Sequence, residues 1–203
     1  CGAFNANVVK RTRALLENEY ATLVKSNRVE LLCIGKKGAE SLKRLGYTVN
    51  TEHAGLLLNA NAEAVFTFAQ TIITKFLSGE TDKVEIIYNQ FKNAATQILS
   101  NESLLPVAKG GSKNNIQSDY IFEPSKVAIL EDLIPRSLKT QVYRAILDSL
   151  ASEHGARMVA MDKATENAGE LLKALKLAYN QARQAAITRE ISEIVGGVAA
   201  LEG

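Results

Sequence analysis

The chain has 203 residues, 24 basic against 22 acidic side chains and a net charge of +2. That length holds one packed domain and an extension, while the charge is too small for the electrostatic footprint of a nucleic-acid binder. Aromatic residues make up 6 %, tryptophan is absent and prolines number three, a profile that argues against an all-β sandwich or barrel and for long helices.

Two cysteines, Cys1 and Cys33, supply no disulfide framework and fit a reducing compartment. No apolar run approaches the ~20 residues that span a bilayer, and the opening "CGAFNANVVKRTR" lacks the order of a signal peptide, so a soluble chain is expected. It begins without methionine on Cys-Gly-Ala-Phe, which reads as a strand already under way and as an internal start.

In chain order, Asn5 or Asn7 is expected to cap a helix through Val8, Thr12, Leu15, Leu16, Tyr20, Leu23 and Val24. The apolar run 29–34 before Gly35 reads as a buried parallel strand. A helix over "AESLKRLG" follows and ends at Gly46. "NAEAVFTFAQTIITKFLSGE" places Val65, Phe66, Ala69, Ile72, Ile73 and Phe76 on one helical face and stops at Gly79. The run 83–91, "KVEIIYNQF", is strongly β-prone and is expected to pair with "AATQILSNESLLPV" across a turn near Lys92 and Asn93. Residues 108–119 have loop composition, and "YIFEP" at 120–124 is expected to close the sheet.

Beyond Ser125 the strand signals vanish. Ser125 is a candidate cap without a capping-box glutamate, and Pro135 is expected to kink or break the helix near Ile134 because it lacks the N–H that the ladder needs. From 136 to 195 there is no further proline, a stretch that as one helix reaches on the order of 90 Å. Met161, Thr165, Ala168, Leu172, Leu175, Tyr179, Ala182 and Ala186 step by four and three residues, as a coiled-coil seam does. The stripe then resumes one position over, at Ile187, Ile191, Ile194, Val198 and Leu201. The predicted fold is therefore α/β: a Rossmann-like domain of alternating strands and helices over 1–124, then a very long coiled-coil-forming helix over 125–203.

Chemical motifs are sparse. No G-x-G-x-x-G follows a strand, "GGSK" at 110–113 lacks both the P-loop spacing and a following helix, and no Gly-x-Ser-x-Gly elbow occurs. His53 and His154 have no metal-ligand neighbours at helical spacing. No catalytic residue, cofactor or metal is expected. By spacing alone, Arg183, Gln184, Thr188, Glu190 and Glu193 form a solvated helix face.

"CGAFNANV", "YNQFKNAATQ", "KTQVYRAIL", "SEHGARMVAMDKATENAGELL" and "LKLAYNQARQAAITREISEIVGG" resemble the gamma subunit, the central stalk, of the F-type rotary ATP synthase, over essentially the whole chain and most densely in the last fifty residues or so. The resemblance implies a rotor that couples ion-driven rotation of a membrane ring to conformational change in catalytic beta subunits. It implies a C-terminal helix paired antiparallel with an N-terminal helix, the latter not among these residues. It implies beta-subunit contacts at Arg157, Arg183, Gln184, Thr188 and Glu190, and a base region near the epsilon subunit and the c-subunit ring at Tyr120, Phe122 and Glu123. Alpha and beta subunits of the catalytic ring, epsilon and the c ring are the implied partners, with neither nucleic acid nor directly bound nucleotide. The absence of the chloroplast dithiol insertion near Phe91 points to a complex on the cytoplasmic face of a bacterial inner membrane, ahead of the matrix side of the mitochondrial one. Two other classes compete: a nucleotide-dependent enzyme with a Rossmann-like domain, which the missing glycine fingerprint disfavours, and a free-standing coiled-coil adaptor.

Overall fold

The computed structural model describes residues 3–107 and 122–201, leaving aside the side chain of Asn59. The chain divides into two compact units, Cys1–Met158 and Val159–Gly203.

The first unit opens with α1 (Phe4–Asn18), whose N-cap is Ala3 with no side-chain cap. The expected opening strand is thus not present at Ala3 and Phe4, and Asn5 and Asn7 lie inside the helix rather than capping it. Thr12, Leu15 and Leu16 are its buried face. The helix does not continue to Val24 as its spacing suggests. It stops near Tyr20, and a short α2 (Ala21–Lys25) follows. Tyr20 donates its hydroxyl proton to Glu85 at 2.7 Å and accepts from Lys83 at 2.7 Å, anchoring the interruption to the strand that carries Glu85.

Only β1 (Leu31–Leu32) forms within the apolar run 29–34, and it pairs in parallel with β2 (Val49–Asn50). Its residues are half-buried, Leu32 against the main core and Leu31 against the cluster of Ala39, Leu42 and Val49, so the full burial expected here is only partial. Between these strands, α3 (Lys36–Arg44) turns Ala39 and Leu42 onto Val49. After a 3-10 turn at Leu56–Asn59, α4 (Ala62–Leu77) begins at Asn61, whose side chain accepts from the Ala64 amide at 2.8 Å. It ends before Gly79, where φ is +78°, a conformation that a side chain disfavours. Val65, Phe68, Ala69 and Ile73 are its buried residues. Phe68 takes the core place expected of Phe66, which meets Tyr143 edge-on at 5.9 Å.

β3 (Val84–Asn93) and β4 (Thr96–Leu105) form a separate antiparallel hairpin. The Thr96 amide donates to Asn93 Oδ1 at 2.7 Å and closes the turn over Ala94 and Ala95, two residues beyond the expected position. Among the described residues the strands thus make two two-stranded sheets. Phe122, Glu123 and Pro124 form no strand, so these residues do not close a sheet. Tyr120, and the loop expected at 108–119, lie outside the described residues.

α5 (Lys126–Leu201) is a single helical element with Pro135 inside it. The break expected near Ile134 does not occur. Ser125 acts as the cap predicted for it, its hydroxyl accepting from the Ala128 amide at 3.2 Å. Residues 126–158 belong to the first unit. There Leu138, Val142 and Ile146 join Val65, Phe68, Ala69, Ile73, Leu104 and Leu105 in the main core. Residues 159–201, the second unit, are helical throughout, and from Met161 onward every residue is exposed. No helix among the described residues is long and apolar enough to cross a membrane.

Candidate interaction site

The helix 159–201 has no packed core of its own, so its chemistry lies in the order of side chains around its axis. At about 100° per residue, Ile187, Ile191, Ile194, Val198 and Leu201 fall in one stripe. Arg183 and Glu190 border it on one side, Gln184 and Thr188 on the other. Ile187 is 47 % exposed and Ile194 66 % exposed, a density of bare apolar surface that a solvated face does not carry. An apolar stripe rimmed by a cation, an anion, an amide and a hydroxyl is how a protein interface is composed. Spacing alone makes the four polar residues a solvated face, and it is the resemblance that singles them out; the isoleucine stripe runs between them.

The seam Met161, Leu172, Leu175 and Tyr179 is likewise exposed. On the same geometry it lies about 90° around the helix from the isoleucine stripe, with Arg183 and Glu190 between the two. No hydrogen bond or ion pair joins Arg183, Gln184 or Glu190 to another side chain among the described residues. The Thr188 carbonyl accepts from Ser192 Oγ at 2.9 Å, an ordinary bond within the helix. The helix therefore presents these groups without internal partners.

Arg157 lies in the first unit, half-buried, and is paired with Glu153 one turn earlier. The pair holds its guanidinium along the helix surface. Phe122 and Glu123 are exposed at the approach to α5, with Lys126 Nζ 5.9 Å from the Phe122 ring centre. Tyr120 lies outside the described residues. Of the residues singled out from the sequence, Arg157, Phe122 and Glu123 thus belong to the first unit, and Arg183, Gln184, Thr188 and Glu190 to the second. His53 packs edge-on against Phe68 at 4.7 Å between ring centres, and His154 is exposed. Among the described residues, no three His, Cys, Asp or Glu side chains are grouped as metal ligands are.

A model of the ATP synthase family matches residues 1–201. The ATP synthase gamma chain of Cytophaga hutchinsonii is 53 % identical over 205 residues, covering 98 % of this chain and 69 % of the relative. That of Flavobacterium johnsoniae is 53 % identical over 204 residues, covering 100 % of this chain and 69 % of the relative. Among solved structures, the central stalk and c ring of the Tetrahymena thermophila mitochondrial ATP synthase aligns with a TM-score of 0.57 at 26 % identity, over 81 % of this chain and 70 % of that one. The Euglena gracilis mitochondrial ATP synthase shares the fold, with a TM-score of 0.63 at 23 % identity over 99 % of this chain and 68 % of that one. A compact α/β base and a long helix with a bare, rimmed apolar stripe are accordingly found in a chain that belongs to the ATP synthase gamma-chain family.

Proposed function

We propose that this chain is the central-stalk rotor of an F-type ATP synthase, turning with a membrane ring of c subunits and imposing conformational change on the catalytic beta subunits. The observation that carries this reading is the isoleucine stripe of 187–201 with polar groups along both borders. A helix of this composition is stable only when another surface covers it. Its two apolar stripes, about 90° apart, offer separate faces to separate neighbours.

Rotation couples to chemistry through differential contact. A beta subunit that meets the Arg183 and Glu190 border is stabilised in a different conformation from one that meets Gln184 and Thr188, and turning the helix exchanges these environments. The bond-making at phosphorus belongs to the partners, and this chain is a non-catalytic subunit. Arg157, Arg183, Gln184, Thr188 and Glu190 are the proposed beta-subunit contacts. Tyr120, Phe122 and Glu123 are the proposed contacts of the base with epsilon and the c ring. The complex is placed on the cytoplasmic face of a bacterial inner membrane, an assignment supported by the bacterial gamma chains it resembles.

The test is reconstitution with alpha and beta partners and measurement of ATP hydrolysis for Arg183→Ala, Gln184→Ala, Thr188→Ala and Glu190→Ala. Arg183→Ala is expected to be most affected, since a charge-assisted hydrogen bond contributes roughly 1.5–3 kcal/mol and less where water screens it. Glu17→Ala, on the exposed side of α1 where it pairs with Arg13, serves as control. Four variants that assemble and turn over like the control overturn the contact assignment.

A further inference from the structure

Three ties join the hairpin β3–β4 to the part of α5 within the first unit. Gln141 Nε2 donates to Glu102 Oε2 at 3.0 Å, while the other oxygen of Glu102 accepts from the Tyr88 hydroxyl at 2.7 Å. Ser152, wholly buried, donates its hydroxyl proton to the Asn89 carbonyl at 3.0 Å. At Gly155 a Cβ would come 3.0 Å from Ala94 Cα and 3.2 Å from the Ala94 carbonyl oxygen, so only glycine lets the turn of the hairpin sit this close.

The three positions share one face of the helix, within about 60° of each other, and they are spread along it. From 141 to 155 the helix rises about 21 Å, and from 102 to 94 the strand runs about 27 Å. The contact is therefore a line of attachment. Two of its three ties are made to hairpin backbone, which cannot swing away as a side chain does. To twist the helix between Gln141 and Gly155, the hairpin must be dragged along or the ties broken.

We propose that the β3–β4 hairpin is a torsional brace on this stretch of α5, with Gly155 and Ser152 as its positioning residues, so that the helix turns stiffly with the base unit. The inference rests on the rotor reading above and adds to it the element that sets the rotor's compliance. Close-packed contacts transmit strain, whereas an unbraced helix would take up part of an applied twist elastically.

The experiment uses the chain assembled with its alpha and beta partners, with the helix 159–201 crosslinked to the catalytic ring and a bead on the base unit reporting thermal angular fluctuation. Gly155→Leu wedges the turn of the hairpin off the helix while replacing glycine by a better helix former, so added motion cannot come from a melted helix. Its angular variance is expected to rise about twofold. Ser152→Ala removes one tie without a wedge, and is expected to shift the variance in the same direction by less. Gly169→Ala, where a Cβ meets nothing within 4 Å, controls for helix propensity and is expected to leave the variance unchanged. Wild-type variance in both Gly155→Leu and Ser152→Ala overturns the brace while leaving the rotor reading intact. Without the crosslink, a wild-type chain that ATP does not rotate overturns the rotor reading, and the brace with it.

Discussion

Tyr88 and Asn89 are neighbours in β3 and both are buried, although successive strand residues point to opposite faces. The hairpin is covered on both sides. Asn89 Nδ2 donates to the Phe4 carbonyl of α1 at 3.3 Å, and the Tyr88 hydroxyl meets the Glu102 that also holds α5. The β-prone composition of "KVEIIYNQF" identified the strand, but the double cover comes from elements distant in sequence. Burial, and after it the hydrogen bond to Glu102, push the Tyr88 phenol up to about 12 from its ordinary 10.0. Because the folded value is raised, its stabilisation is complete below pH 10.0 and is lost as pH rises through about 12. Denaturant midpoints across that window should therefore fall more steeply in the wild-type protein than in Tyr88→Phe. Parallel slopes would show that the tyrosine is not coupled to folding. Asn61 gives a second test at this scale: Asn61→Ala leaves the Ala64 amide without its cap and should cost about 1 kcal/mol by denaturant unfolding.

At the scale of elements, α4 and α5 carry the main core; the face of α4 was readable from helical spacing, whereas the buried face of α5 at Leu138, Val142 and Ile146 was not. Ile146 is 5 % exposed among Val65, Phe68 and Leu104. Ile146→Ala should destabilise the first unit by about 2–5 kcal/mol, while Ile187→Ala, on the exposed stripe, should leave the isolated chain's midpoint within about 0.5 kcal/mol. A comparable loss in both would contradict the division between core and interface. The elements that sequence misjudged are those decided by tertiary contact. The apolar run 29–34 yields two residues of strand because, among the described residues, only β2 pairs with it. α1 ends early because Tyr20 finds Glu85 sixty-five residues away. Pro135 does not break α5, since a proline removes one ladder bond and the burial of Leu138, Val142 and Ile146 beyond it holds the helix in register with the core.

At the scale of the whole molecule, the two units differ in kind. The first buries a core of its own, although Leu58 and Leu77 stay exposed, whereas the second has no core and leaves Leu172, Leu175, Ile187, Ile191 and Ile194 bare. The seam from 161 to 186 and its displacement afterwards were legible in the sequence because a helix maps spacing directly onto direction. What lies against those stripes was not legible, since complementarity belongs to partner surfaces and not to this chain's own pattern. The central claim, that the chain is a rotor, is tested most directly by assembling it with its alpha and beta partners, fixing the catalytic ring and following a bead on the base unit under magnesium and ATP. The account predicts unidirectional rotation that stops when ATP is withdrawn and slows in Arg183→Ala. Steady ATP turnover with the bead stationary would contradict it.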